Sequence, residues 1–389
     1  MKYKFETKTI GDCCDIIKKS IHPEKGQVYT CFSLPAFDNS NTPEILNGEE
    51  IKSSKFVLDE NTILFNKLNP KFRRVWNIHS LEKYENTICS TEFLPLKAKA
   101  NIEQDYLYYY VSSPYFTRLM DGIRTGTSNS QQRIDWKQFL REPINVPSLP
   151  IQRKVVSLLR NIDKKIELNN AINNNLEQQA KAIFSNEFLT LETLPDGWKQ
   201  ASLIDIADYL NGLAMQKYRP TADETGIPVL KIKELRQGCC DDNSELCSPS
   251  IKSEYIIHDG DVIFSWSGSL IVDFWCGGIC GLNQHLFKVT SNKYNKWFYY
   301  AWTKHHLDRF IAVAADKATT MGHIKRDELS KAEVLIPNEA DYKRIETLLQ
   351  PIFDLIITNR IENKKLAETR DALLPKLMSG ELDVSNIEL

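Results

Sequence analysis

Read for the spacing of its apolar positions, the chain changes period and then repeats the change. "GQVYTCFSL" and "IPVLKIKEL" are short β-branched or aromatic runs, the signature of strands. "NTILFNKL" and "DVIFSWSGS" read as strands entered through turns at Glu60-Asn61 and Asp259-Gly260, and "HLFKV" as a further strand. "QDYLYYYVSSPYFTRLMDGI" and "NKWFYYAWTKHHLDRFIAVA" are helical in pattern. Each mixed region ends in a proline-bearing segment, "NVPSLP" or "VLIPNEA", that leads into a long helix. On the first helix Leu159, Ile162, Ile166, Asn169, Asn173, Leu176, Ala180 and Ile183 alternate spacings of three and four, a coiled-coil seam. The second carries Leu349, Ile352, Ile356, Asn359, Asn363, Leu366, Arg370 and Leu373 in the same phase.

The chain is written twice. With Ile134 laid on Ile324, Pro147 falls on Pro337, Ile162 on Ile352, Asn169 on Asn359, Asn173 on Asn363 and Leu176 on Leu366, without a gap. Upstream, "TIGDCCDII" resembles "SLIDIADYL", placing Asp12 on Asp205 and Asp15 on Asp208, and Phe65 falls on Phe264. The expected fold is α+β: two mixed domains, 1–147 and 191–337, each followed by a long helix in 148–190 and 338–389.

Two copies of one unit tend to be related by a pseudo-twofold axis. If that axis crosses the helices they pack antiparallel, with Asn169 facing Asn363, Asn173 facing Asn359, Ile166 facing Leu366 and Leu176 facing Ile356. A buried Asn is costly unless its amide is paired, and such pairs fix register. The asparagines are therefore expected to lock an antiparallel alignment; a solvated polar face on a slightly rotated seam is the alternative. A helix of roughly 35 residues is about 50 Å long, so an antiparallel pair would hold two domains at a set separation, comparable to the ~34–36 Å between sites one turn apart on B-DNA.

The formal net charge of −2 and the absence of a strongly basic region mean that charge alone does not announce nucleic acid. The N-terminal "MKYKFETKTI" lacks an apolar core, and the longest apolar run is broken by Asp273 and glycines; a cytoplasmic protein is expected. Nine cysteines raise the question of zinc, but Cys239, Cys240, Cys247, Cys276 and Cys280 lack tight ligand pairs, so free thiols are expected and no metal. The sequence contains no Gly-Lys dipeptide, no G-x-G-x-x-G, no G-x-S-x-G and no Pro-Pro, which argues against a nucleotide-binding loop or an adenine-methylating loop of the Asn/Asp-Pro-Pro-Tyr/Phe type. The chain reads as one that binds rather than cuts.

Candidate DNA-contacting residues sit in paired loops. "KLNPKFRRVW" offers Lys67, Lys71, Arg73 and Arg74, and "RTGTSNSQQRIDWK" offers Arg124, Thr127, Asn129, Gln131 and Arg133. The second copy offers Lys217 and Arg219 in "MQKYRP", Ser265 and Ser267 in "FSWSGS", and Lys317, Thr319, Thr320, His323 and Lys325 in "DKATTMGHIKRD". These side-chain types contact phosphates and base edges.

The whole chain resembles the specificity subunit of Type I restriction–modification systems. The likeness is carried by "GWKQASLIDIADYLNG", "DGDVIFSWSGS", "LNQHLFKV", "VPSLPIQRKVVSLLRNIDKKIELNNAINNNLEQQAKAIF" and the tail "ETRDALLPKLMSGELDV". The resemblance implies two target-recognition domains that each read one half of a bipartite site on double-stranded DNA. It implies helices that set the spacer and dock two modification (methyltransferase) subunits, with restriction/translocase subunits joining them. S-adenosylmethionine, ATP and Mg would be used by those partners, and none would be bound by this chain. The first copy departs from the "FSWSGS" form, which leaves open whether the two copies make equivalent contacts. Readings of another class are a protein-only coiled-coil scaffold and a nuclease with an unrecognised active site.

Overall fold

The computed structural model describes residues 4–125, 132–241, 243–316, 324 and 326–387. The chain forms two units, one comprising residues 1–164 with 367–389 and the other residues 165–366. Each is a mixed α/β body, and each includes a stretch of both long helices, Leu149–Phe184 and Glu339–Met378.

Unit 1 opens with strand Phe5–Thr9, antiparallel to Pro143–Pro147. Thr9 then caps a single helical turn, Ile10–Cys13: its hydroxyl accepts from the Asp12 amide, and the Asp12 carboxylate accepts from the Thr9 amide at 2.9 Å. A four-stranded antiparallel sheet follows in the order Cys14–Ile16, Phe93–Ala98, Thr62–Asn66, Val75–Ile78. A second sheet of five strands sets Val28–Phe32 parallel to Thr87–Ser90. Helices Gln104–Val111 and Pro114–Gly122 cover the first sheet, burying Tyr106, Leu107, Phe116 and Met120 with Phe65, Leu94 and Leu96. The same core takes Val155 and Leu159 from the first long helix and Leu374, Leu377 and Val384 from the end of the chain. The second long helix stops at Gly380, whose φ of +71° suits glycine, and a Cβ there would run into the Phe5 ring.

Unit 2 repeats these devices. Lys199–Ser202 pairs with Glu333–Ile336, and Ser202 caps Leu203–Ile206 with Asp205 in the role of Asp12. Its four-stranded sheet runs Asp208–Asn211, Leu286–Thr290, Val262–Ser265, Ile271–Phe274, the same order as in unit 1. Ile227–Leu230 lies parallel to Cys280–Leu282, as Val28–Phe32 does to Thr87–Ser90. Helices Lys296–His305 and Leu307–Asp316 cover the sheet, and Phe264 packs on Phe310 as Phe65 packs on Phe116. One polar group recurs with changed chemistry: the Gln152 Oε1 accepts from the amide of Glu103, whereas the Tyr342 hydroxyl accepts from that of Asn295. Each satisfies a backbone donor at the entrance of the equivalent helix, where no intrahelical acceptor exists.

The long helices run antiparallel in each unit. In unit 2 Asn169 Nδ2 donates to Asn363 Oδ1 at 2.9 Å, and Asn359 Nδ2 donates to Asn173 Oδ1 at 2.9 Å. Asn169, Asn173 and Asn359 are buried, and Ile356 is buried beside them, while Ile166, Leu176, Ile352 and Leu366 are half-buried. Asn363 Nδ2 also reaches Asn170 Oδ1 at 2.8 Å, and Arg360 joins Glu177 at 2.8 Å and Asp273 at 2.6 Å. In unit 1 the seam carries an ion pair instead, Arg370 with Asp163 at 2.7 Å, and Asp163 also accepts from the Tyr109 hydroxyl at 2.6 Å. Of the remaining seam positions Leu159, Ala180 and Leu349 are buried and Ile162, Ile183 and Leu373 half-buried.

Replacing Asn173 alone by Leu leaves the Asn359 amide without its acceptor, a loss of about 1–3 kcal/mol. The paired change Asn173→Leu with Asn359→Leu removes both partners and recovers most of that loss. Urea unfolding followed by tryptophan fluorescence checks this, because Trp198, Trp266, Trp275, Trp297 and Trp302 all lie in unit 2.

Candidate nucleic-acid interface

Two of the stretches singled out in the sequence, "KLNPKFRRVW" and "FSWSGS", sit on one recurring element. In unit 1 the hairpin between Thr62–Asn66 and Val75–Ile78 carries Lys67 to Arg74; in unit 2 that between Val262–Ser265 and Ile271–Phe274 carries Trp266 to Leu270. A remote segment docks on each hairpin by the same rung. The Ile134 amide donates to the Lys67 carbonyl at 3.0 Å, and the Ile324 amide donates to the Trp266 carbonyl at 3.2 Å. In unit 1 Leu68 also bridges Arg133, and the Asn69 amide donates to the Gln132 carbonyl at 2.7 Å. Asn66 holds the start of the turn, its carboxamide bonded to both the amide and the carbonyl of Leu68. The two quoted stretches of the first copy are thus neighbours at one end of the four-stranded sheet. The backbone contact is common to both copies although the side chains differ.

The arginines at this end of unit 1 are tied to carboxylates. Arg74 makes a bidentate pair with Asp38, 2.6 and 2.7 Å, and lies over the exposed Phe72 ring. Arg73 reaches Asp371 on the second long helix at 3.2 Å, and Arg133 reaches Glu92 at 2.7 Å. Lys71 is exposed and its ammonium sits 5.0 Å from the Phe72 ring centre. Lys67 is half-buried. Arg124 pairs through its backbone with Ile134 in a two-stranded ribbon. Thr127, Asn129 and Gln131 lie outside the described residues, as do Lys317, Thr319, Thr320, His323 and Lys325.

In unit 2 Lys217 is exposed at the end of a 3-10 turn that buries Met215, and Arg219 pairs with Glu245 at 3.1 Å. Two expectations need correction. Ser265 is fully buried and its hydroxyl donates to the Ser267 carbonyl; Ser267 is buried too and bonds His285 Nδ1 at 3.1 Å. Both hydroxyls are engaged in holding the hairpin together. Arg74 is likewise committed to Asp38 and to the fold of its loop. Lys18, Trp136 and Lys137, which residue type did not single out, gather at the same end of the unit 1 sheet. The only signal in the letters was an aromatic next to a lysine in "IDWK".

The cysteines are core residues. Cys13, Cys14, Cys31, Cys89, Cys247, Cys276 and Cys280 are buried, and only Cys239 and Cys240 are partly open. Burial pushes the Cys13 thiol up to about 11 and Cys276 up to about 12. A hydrogen bond from the Cys280 thiol holds Cys240 below the usual thiol value. Among the described residues no group of three or more His, Cys, Asp or Glu is arranged to hold a metal ion, and no helix is long and apolar enough to cross a membrane.

Two measurements follow. Arg74→Ala should destabilise unit 1 by about 1–2 kcal/mol by stripping Asp38 of its partner, while Lys71→Ala stays within about 0.5 kcal/mol; thermal melts of the two variants compare them. A thiol-reactive dye at neutral pH should label Cys239 and Cys240 in the native protein and the other seven cysteines only after unfolding.

A profile described as Type I restriction modification DNA specificity domain matches the chain twice, over residues 2–178 and 195–368. The chain is 26% identical over 74% of its length to the Type I restriction enzyme MjaIX specificity subunit of Methanocaldococcus jannaschii, covering 71% of that protein. It is 20% identical over 90% of its length to the Type I restriction enzyme HindI specificity subunit of Haemophilus influenzae, covering 96% of that protein. The crystal structure of a Type I restriction-modification system S subunit from M. genitalium shares the fold, with a TM-score of 0.54, 14% identity and 96% of each chain covered. With both copies matched from the first strand to the second long helix, the chain belongs to the family of Type I restriction modification DNA specificity domains.

Proposed function

We propose that this protein is the DNA-reading, non-catalytic subunit of a Type I restriction–modification assembly. In this reading each unit recognises one half of a split site on duplex DNA, and the helix pair fixes the gap between the halves. The observation that carries it is the double match to a DNA specificity domain, each copy presenting an equivalent hairpin clasped by a downstream segment. Lys67, Lys71, Arg73, Arg133, Lys217 and Arg219 are the described side chains available at or beside those loops; Arg73, Arg133 and Arg219 would exchange a carboxylate for a phosphate or a base edge. The antiparallel seam supports a register role for the buried asparagines. Modification subunits docked on the helices would supply S-adenosylmethionine and the adenine-methylating site, and restriction subunits would supply ATP- and Mg-dependent cleavage, all in the cytoplasm. A weakly acidic chain suits this division of labour, since partners would add the positive charge needed to close around DNA.

Sequencing that reports methylated adenine in host DNA should show a two-part motif with a fixed unread gap. Exchanging residues 1–147 for those of a related subunit should change one half of that motif only. Lengthening both helices equally by one turn should widen the gap. A motif that ignores the exchange would leave a protein-only scaffold as the better reading, and metal-dependent cleavage by the purified chain alone would favour a nuclease.

A further inference from the structure

The cations at the reading end of unit 1 fall into two classes. Arg73, Arg74 and Arg133 each face a carboxylate. Lys18, Lys67 and Lys137 make no ion pair among the described residues. They are nevertheless close together. Strand Cys14–Ile16 ends just before Lys18 and strand Thr62–Asn66 just before Lys67, on the same edge of one sheet. The rung from Ile134 to Lys67 brings Trp136 and Lys137 to that edge. The Lys18 ammonium lies 4.0 Å from the Trp136 ring centre and that of Lys137 lies 5.8 Å from it. Trp136 itself is 40% exposed. Partial burial and the neighbouring charge of Lys67 both push the Lys18 pKa down.

Like charges held together without counter-charges oppose folding, so such a group points to an anion that completes it. The acids close by are already engaged. Glu92 holds Arg133, and Asp135 caps the helix Trp136–Arg141 by accepting from the Lys137 amide at 2.9 Å. The indole gives two ammonium groups a common surface to rest on, which keeps them aimed without neutralising them.

We propose that Lys18 and Lys137, resting on the exposed ring of Trp136, together with the adjoining Lys67, form a phosphate site that grips the DNA backbone beside the half-site read by unit 1. The inference rests on the reading of this chain as a DNA-specificity subunit. The site sets affinity and position, and carries no base preference.

The test uses the full chain assembled with its modification subunits and two duplexes of equal length. One bears the split motif found by methylation sequencing and the other lacks it. Binding is measured across a salt series. For the triple variant Lys18→Gln, Lys67→Gln, Lys137→Gln, the slope of log affinity against log salt should shrink by about 0.9 for each lysine that touches a phosphate. Affinity for both duplexes should fall at least tenfold, with the preference between them kept. Lys18 and Lys137 are exposed, and the half-buried Lys67 makes no ion pair among the described residues, so the variant should melt like the parent. An unchanged slope, or a loss confined to the motif-bearing duplex, overturns the site. Failure of the unmodified assembly to prefer the motif would instead overturn the functional reading, while the slope on the other duplex would still decide whether the lysines meet phosphate.

Discussion

A carboxamide sealed between two helices cannot turn to water, so it must find another polar group, and that necessity governs the centre of unit 2. Asn169 with Asn363, and Asn173 with Asn359, meet only if the helices run in opposite directions with one alignment. Sliding either helix by one turn would keep only one amide pair, Asn169 with Asn359 or Asn173 with Asn363, and set the other two carboxamides against apolar residues such as Ile356 or Leu366, stranding their donors. An all-leucine seam would hold more tightly and specify less, because apolar contacts are tolerant of slippage. The flanking apolar positions, Ile356 and Leu349 among them, then have a fixed partner surface to pack on, and the sheet and its covering helices build outward from there.

The treatment of charge explains how a DNA-specificity chain can be mildly acidic. The arginines of the unit 1 hairpin rest on Asp38, Asp371 and Glu92, so the protein without its ligand is nearly neutral where it would otherwise repel itself. A bidentate partner such as Asp38 also fixes the guanidinium plane, which gives the loop a shape before any encounter. The cations are therefore not equivalent: some build the surface, some can be exchanged, and a few stand without a counter-charge.

Much of this was legible in the letters. The repeat, the α+β class and the two long helices follow from apolar spacing and from aligned landmarks such as Asp12 with Asp205, which turn out to cap equivalent turns. The equivalence of Phe65 and Phe264 is visible too, since both are large apolar residues on strands buried on both faces. The functional surface was harder to read. Serine and arginine are chemically suited to DNA whether they face it or brace a loop, and Ser265, Ser267 and Arg74 brace. Lys18 is far from Lys137 in sequence, and only the end-to-end alignment of sheet strands makes them neighbours. The division of the molecule is also non-local, because residues past 366 complete the body that residues 1–164 begin.

That last arrangement has a consequence for the life of the chain. Leu374, Leu377 and Val384 plug the same core as Tyr106 and Phe116, and Lys154 reaches the Ser385 carbonyl at 2.6 Å. The core of unit 1 can therefore be completed only after the residues of unit 2 have been made. A premature stop or a proteolytic nick beyond Leu366 would spare every residue of the second reader and yet disable the first. Damage at one end of the gene would thus be felt as loss of the half-site encoded at the other.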